Sequence, residues 1–386
     1  MKQDLIETIR TVPLFDHHAH GVRLASLSAE TAGDLLNEST SKALGGLKAF
    51  DKPVGLNLRS ICAPLLGLER GAPLESYFAR RAELGEAASH RLIEACGLST
   101  VLLDTYARDS RDLTDPTGFA DTFNVPAYEI LRLESLFENV AQTHGAVDGL
   151  CDAFAAHLET LAPGAVGLKT ILGYRAGFDI DHKPPDNAEL TAALDGWLSA
   201  LDADERPRLA NTVICRKVLW IGSEIARARN IPIQFHVAIG DDDVDMPAND
   251  PAHLRPYFKE MQDWGVNCTL LHCYPYVRCA QWLSDIFDNV YYDIGFMLPF
   301  GSPEIERLFR EAFEIGPFHK QLYSSDAFDL AELFTISAVR FRSYLGNLLA
   351  DWVEDGYCSS SDAVSIAERI CHGNAERIYG ISERKT

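Results

Sequence analysis

Pro13-Leu14-Phe15-Asp16-His17-His18-Ala19-His20 is the stretch on which the reading of this chain turns. A short apolar run enters an acid and three histidines, as in a strand that starts in a core and ends in a polar basin. His18 and His20 lie two residues apart, so on an extended chain both side chains project to one side, where the pair can grip a single cation. His17 alternates away from them and reads as a core histidine.

Seven further runs repeat the form, bounded by turn residues and separated by helical patterns: Ser99 to Thr105, Tyr128 to Glu134, Ala165 to Leu172, Pro232 to Val237, Asn267 to Cys273, Asn289 to Gly295 and Gln321 to Asp326. Strands alternating with helices mark βα units and a parallel sheet. Before the fifth run, Ile214, Val218, Ile221 and Ile225 form one helix face that Asn230-Ile231-Pro232 closes; after the sixth, Val277, Ala280, Leu283 and Phe287 form another. Ser302-Pro303 supplies a cap and first-turn proline to a helix that Gly316 can end. Eight such units predict a (β/α)8 TIM-like barrel, read as one domain over residues 1–386.

Two connections exceed what a barrel needs. Residues from about 21 to 98 carry helical patterning, including Leu65 to Arg81 and Arg91 to Leu98, where a βα loop usually takes ~2–6 residues. This predicts a helical insertion after the first strand; its Leu65 to Leu98 part is read as a lid or a subunit contact, and a homo-oligomer is expected. Gly173 to Arg208, polar and holding Pro184-Pro185, reads as a surface excursion followed by an extra helix. Past Phe328 only helices are expected, with a short amphipathic tail.

Composition narrows the partners. With 386 residues, 47% of them hydrophobic, the chain can bury a large core. Its 35 basic against 56 acidic residues give a net charge of −21, which disfavours nucleic acid and anionic membrane surfaces and leaves a small-molecule substrate. The nine cysteines are odd in number and contain no CxxC, so they read as reduced thiols. Acids stand in the first residues, where a signal peptide needs an apolar run, and no long apolar span occurs; a cytoplasmic protein is expected.

Placed on the expected strands, Lys169 falls on the fourth, His236 on the fifth, His272 on the sixth and Asp326 on the eighth, all near C-terminal ends, where barrel active sites collect. A lone buried histidine is more often a hydrogen-bonded core residue than a ligand. Five strand ends carrying buried ionisable groups, however, would be costly unless paired or metal-bound. Imidazoles and carboxylates suit zinc, and also manganese, iron or nickel. His90, His144, His157, His182, His253, His319 and His372 fall on helices or loops without partners. Arg132 and Glu134 after the third strand, with Tyr174 and Arg175 after the fourth, are candidates to anchor a substrate carboxylate or orient ligands, against the plainer alternative of surface ion pairs. The run Asp241, Asp242, Asp243 and Asp245 reads as a solvated loop.

The ordered set of HxH, lysine, two histidines and aspartate resembles the metal-ligand scheme of the amidohydrolase superfamily. Gly167-Leu168-Lys169-Thr170, Pro232-Ile233-Gln234-Phe235-His236, Leu271-His272-Cys273-Tyr274-Pro275-Tyr276 and Tyr323-Ser324-Ser325-Asp326-Ala327 are similar to its amidohydrolase-2 branch. Within that branch they most resemble the amidohydrolase half of FluG and nodulin-type fusions with glutamine synthetase. The resemblance covers Val12 to Ile381 and implies one or two divalent ions, probed first as zinc, held by His18, His20, Lys169, His236, His272 and Asp326. It also implies a carboxylated Lys169 as a bridge and Asp326 as proton carrier. The reaction implied is hydrolysis of a C–N bond, with γ-glutamyl amides among the substrates to try. The alternative is a metal-dependent decarboxylase or other C–C lyase on the same ligands, and fold cannot separate the two.

Overall fold

The computed structural model describes residues 2–105, 112–201 and 208–381; part of the Gly173 to Arg208 excursion, residues 202–207, and the tail beyond 381 lie outside the described residues. Seven strands, β1 (Leu14–Ala19), β2 (Leu98–Asp104), β3 (Ala127–Arg132), β4 (Ala165–Thr170), β5 (Ile233–His236), β6 (Cys268–Leu271) and β7 (Val290–Tyr292), pair in parallel in chain order.

The segment expected as an eighth strand forms a single parallel bridge, Gln321 to Tyr292, rather than a ladder. Its backbone nonetheless bonds to both edges of the curled sheet. Leu322 N donates to Tyr292 O at 3.0 Å on one side; on the other, His17 N donates to Tyr323 O at 3.1 Å and Asp326 N to His18 O at 3.0 Å. The protein is an α/β barrel. Regular pairing stops because Asp326 and Asp329 have φ of +50° and +54°, and because β1 shifts register between Asp16 and Ala19.

Two layers fill the barrel. Phe15, Leu102, Ile130, Val166, Tyr291 and Leu322 make an apolar layer, closed from below by Ala375, Ile378, Tyr379 and Ile381 at the end of the chain. Side chains alternate, so the next inward positions of the same strands include His17, Asp104, Arg132 and Asp293, a polar layer toward the C-terminal ends. The larger core lies between strands and helices. The helix Thr212–Arg229 buries the expected face, Ile214, Val218, Ile221 and Ile225, with Asn211 capping its start and Asn230 at φ +52° ending it.

Several boundaries differ from expectation for local reasons. β3 ends at Arg132 and the helix Leu133–His144 starts at once, so Glu134 sits in a first helical turn rather than on a strand end. Leu65 to Arg81 divides into the helices Ala63–Leu65 and Leu74–Leu84, because Gly67 and Gly71 take φ of +83° and +81° between them. The helix after Ser302-Pro303 runs over Ile305–Glu311, well before Gly316, since the chain first makes tight turns, Ile305 N to Ser302 O and Glu306 N to Pro303 O. The cysteines are free, six of them buried. No helix among the described residues is long and apolar enough to cross a membrane.

Helical segments fill the chain between β1 and β2 and dock on the long helix Ala331–Glu354 through one buried carboxylate. Glu332 Oε1 accepts from Tyr77 Oη at 2.8 Å and from Arg81 Nε at 2.7 Å, all three residues being at most 3% exposed. Removing the carboxylate leaves a buried guanidinium and phenol without an acceptor, which costs about 3–5 kcal/mol. Glu332→Ala is therefore expected to lower the unfolding free energy by that amount in urea titration, while Glu75→Ala, in the same docked helix but on its solvent side, stays within about 0.5 kcal/mol of the parent.

Candidate active site

The C-terminal ends of the strands open into a basin with a cavity volume of about 590 Å3, whose wall includes His20, Arg132, Lys169, Tyr174, Arg175, His236 and Asp326. His18, His20 and Asp326 bring donor atoms within 4.8 Å of one another. Asp326 Oδ1 stands 3.1 Å from His18 Nε2 and 3.7 Å from His20 Nε2; Oδ2 stands 3.4 Å from His272 Nε2. Lys169 Nζ is 3.0 Å from His18 Nε2, and the His236 and His272 ring centres are 4.6 Å apart. All six residues expected as ligands thus converge, three as a tight cluster and Lys169, His236 and His272 beside it.

Hydrogen bonds on the outer edges of the rings decide what they offer the centre. His18 Nδ1 contacts Gln234 Oε1 at 2.9 Å, and His20 Nδ1 contacts the Asp104 carbonyl at 2.8 Å. Oxygen can only accept from neutral imidazole N–H, so in both rings the proton sits on Nδ1 and the Nε2 lone pair faces Asp326. His236 is turned over: Nε2 donates to Ile239 O at 2.8 Å, leaving Nδ1 the lone pair. Neither nitrogen of fully buried His272 makes a hydrogen bond among the described residues. Buried, unsatisfied nitrogens around one carboxylate are what a cation would complete, so this donor set fits a divalent ion.

Electrostatics point the same way. Burial lowers the pKa of His18, His236 and His272 well below the ordinary value and that of His20 to about 4, so these rings stay neutral. Burial lowers Lys169 to about 8, and raises Asp326 well above the usual carboxylate range against the pull of Lys169. Burial raises Asp104, but Arg132, His20 and Lys169 together outweigh it and hold that carboxylate low, with Arg132 Nε and Nη2 donating to Asp104 Oδ2 at 2.9 and 2.6 Å.

The four further candidates divide. Arg132 lines the basin, tied to Asp104 rather than to a surface partner. Tyr174 lies against the His236 ring at 4.3 Å between centres. Arg175 lines the wall with Nη1 3.1 Å from Glu138. Glu134 is not among the lining residues: its carboxylate accepts from Thr170 Oγ1 and Ile171 N, a brace between the end of β4 and the helix that follows β3. Starting the helix at Leu133 turned it there. His17, expected to face away, contacts Asp293 Oδ2 through Nε2 at 2.7 Å. Asp241, Asp242 and Asp243 line the basin mouth, with Asp242 accepting from Thr40 Oγ1 at 2.6 Å.

Gln234, Asp104 and Asp293 were not singled out from the sequence, although each carried a signal. Gln234 precedes His236 by two and shares its face; Asp104 ends β2 and Asp293 follows β7, acids at strand ends like Asp326. Glu38, which also lines the basin and whose carboxyl burial raises to about 7, comes from the helical stretch after β1, where spacing says nothing.

A parallel α/β barrel with imidazoles and a carboxylate gathered at the C-terminal strand ends is the scaffold of a class of metal-dependent enzymes. The chain belongs to the amidohydrolase family (Amidohydro_2), whose model matches residues 166–381, more than half of its length. It is 27% identical to protein fluG of Emericella nidulans over 97% of this chain, and spans 46% of that longer protein. A Lactobacillus casei protein put forward as a metal-dependent hydrolase is 26% identical, with a TM-score of 0.86 and 98% of each chain covered. The glucuronate isomerase of Caulobacter crescentus shares the fold at 12% identity, with a TM-score of 0.69 over 98% of this chain and 94% of that one.

The depressed pKa of His20 makes a signed prediction for the metal-free protein. Its ordinary value is 6.5 and its folded value about 4, so between those pH values the unfolded chain binds a proton that the folded one refuses. The folded state therefore loses stability relative to a His20→Gln variant as pH falls from 6.5 to 4, by up to about 3 kcal/mol, and the difference levels off below. Urea unfolding of both proteins at half-unit pH steps checks this; a difference independent of pH means His20 takes up its proton equally in the folded and unfolded chains.

Proposed function

We propose that the basin holds a divalent cation and hydrolyses a C–N bond in a small amide or related molecule. The observation that carries this reading is the shared orientation of His18 and His20, each with Nδ1 committed to an oxygen and Nε2 aimed at Asp326. Such a cation supplies water acidified toward neutral pH and a polarised carbonyl oxygen. Zinc suits the nitrogen-rich set best. His18, His20 and Asp326 would hold one ion. Lys169, part-neutral near pH 8, would add carbon dioxide at Nζ and release a proton, and the resulting carbamate would supply oxygens toward a second ion with His236 and His272. We read Gln321 to Asp326 as the eighth stave of the barrel, the whole chain as one domain, and the helical stretch at about 21–98 as an insertion over its mouth.

Asp326 takes the proton of the attacking water and returns it to the leaving nitrogen. Its two oxygens reach toward His18 and His272 at once, so one can stay a ligand while the other carries the proton. Arg132 lines the basin, its Nη1 making no hydrogen bond among the described residues, and can anchor a substrate carboxylate, with Tyr174 and Arg175 beside it. The Lactobacillus casei relative supports the metal-dependent reading, and the fluG relative supports trying γ-glutamyl and other N-acyl compounds first.

Screening that panel, with metal content measured by elemental analysis, tests the proposal. Asp326→Asn keeps shape and one oxygen while losing the basic site, so metal content should remain largely intact and turnover fall by about 10²–10⁴. Near-parental turnover in this variant would remove Asp326 as proton carrier. One ion per chain, an unmodified Lys169 and release of carbon dioxide from a carboxylate substrate would replace hydrolysis with decarboxylation.

A further inference from the structure

We propose that Tyr379, at the C-terminal end of the chain, is a positioning residue for the histidine cluster, setting from beneath the barrel the tautomer and ring orientation that the cation site needs. The inference rests on the metal-site reading above and extends it to a residue on the other side of the barrel's apolar layer.

Tyr379 follows the short helix Asn374–Ile378, is 2% exposed, and packs among Phe15, Leu102, Ile130 and Leu322. Gly167 leaves room for its ring: a Cβ there would lie 3.3 Å from Tyr379 Cε1 and 2.9 Å from Ile130 Cδ1. The hydroxyl rises into the polar layer, 3.0 Å from His17 Nδ1 and 2.9 Å from Gln234 Nε2.

Donor and acceptor accounting gives every bond in this layer one direction. The His17 carbonyl can only accept, so the Gln234 group 2.7 Å from it is the amide nitrogen. The second hydrogen of that nitrogen goes to Tyr379 Oη, and Gln234 Oε1 must then face His18 Nδ1 and accept from it. The Tyr379 proton, which burial keeps on its oxygen, points to His17 Nδ1 at 3.0 Å, with the Thr269 hydroxyl as a second group in reach. His17 Nε2–H therefore donates to Asp293 Oδ2, and Asp293 Oδ1 accepts from the backbone of His272 and Gly295, both at 2.8 Å. One hydroxyl thus joins two branches, through Gln234 to the His18 ring and through His17 and Asp293 to the backbone of His272, held at φ +71°. An apolar residue in its place would leave one Gln234 N–H and His17 Nδ1 without this partner, loosening both branches.

The test is zinc affinity by chelator competition, with the absorption spectrum of the cobalt-substituted protein as a second readout. Tyr379→Phe should weaken zinc binding about tenfold, at the low end of the ~10–100-fold typical of groups that orient ligands, and should shift the cobalt spectrum. His17→Leu removes both the acceptor for Tyr379 and the donor to Asp293, so it should do the same. The double variant should lose less than the sum of the two. Phe15→Leu, a packing change in the layer below, should lower the melting temperature and leave zinc affinity within about twofold. Parental affinity and spectrum in Tyr379→Phe, strict additivity, or an equal loss in Phe15→Leu would overturn the proposal. Failure of the parent protein to bind zinc or cobalt would instead overturn the metal-site reading. Should Tyr379→Phe not fold, His17→Leu alone decides by the same criteria.

Discussion

Neutral imidazoles packed around a buried carboxylate are the constraint from which the rest of this molecule follows. A histidine can leave water without great cost if both nitrogens find partners, and here the outer nitrogens of His18, His20 and His236 do so while the inner ones remain for the centre. That requires acceptors of fixed position behind each ring. The Asp104 carbonyl comes from the end of β2, and the Gln234 amide and the Ile239 carbonyl from β5 and the loop after it, so the site exists only when β1, β2 and β5 stand in register.

The barrel supplies that register by layering. Its apolar floor sets the strands apart, and the polar layer above is satisfied almost wholly by its own members. Asp293 illustrates the economy: one oxygen takes the His17 ring, the other the backbone turn that carries His272. Backbone at φ +71° for His272 and +50° for Asp326 costs energy in residues with a Cβ, and it persists where surrounding bonds over-determine it. Both residues turn into the basin at the points where the regular strands give out. The helical segments after β1 add to the rim, bringing Glu38 and Thr40 against the loop after β5, and their attachment through Glu332 makes the rim part of the same rigid body of packing.

Much of this was legible in the chain before folding. Alternation of short apolar runs with 3.6-residue helical faces gives βα units, since these periods follow from backbone geometry alone. Titratable residues at the ends of those runs, with His18 and His20 two apart, point to the basin because buried charge is too costly to scatter. The same reasoning applied to Asp104 and Asp293 would have found two of the residues that it passed over.

What the chain alone determined is therefore the set of strand-end imidazoles, lysine and carboxylate and the scaffold that gathers them, because both depend on local period and on residue chemistry. Tertiary structure alone decided the direction of each ring, the withdrawal of Glu134 into a brace between elements, the irregular closure at Gln321 to Ala327, and the approach of Tyr379 to His17 from the far end of the sequence. These depend on which acceptor lies behind a donor, and contacts between residues hundreds of positions apart leave no mark on local pattern.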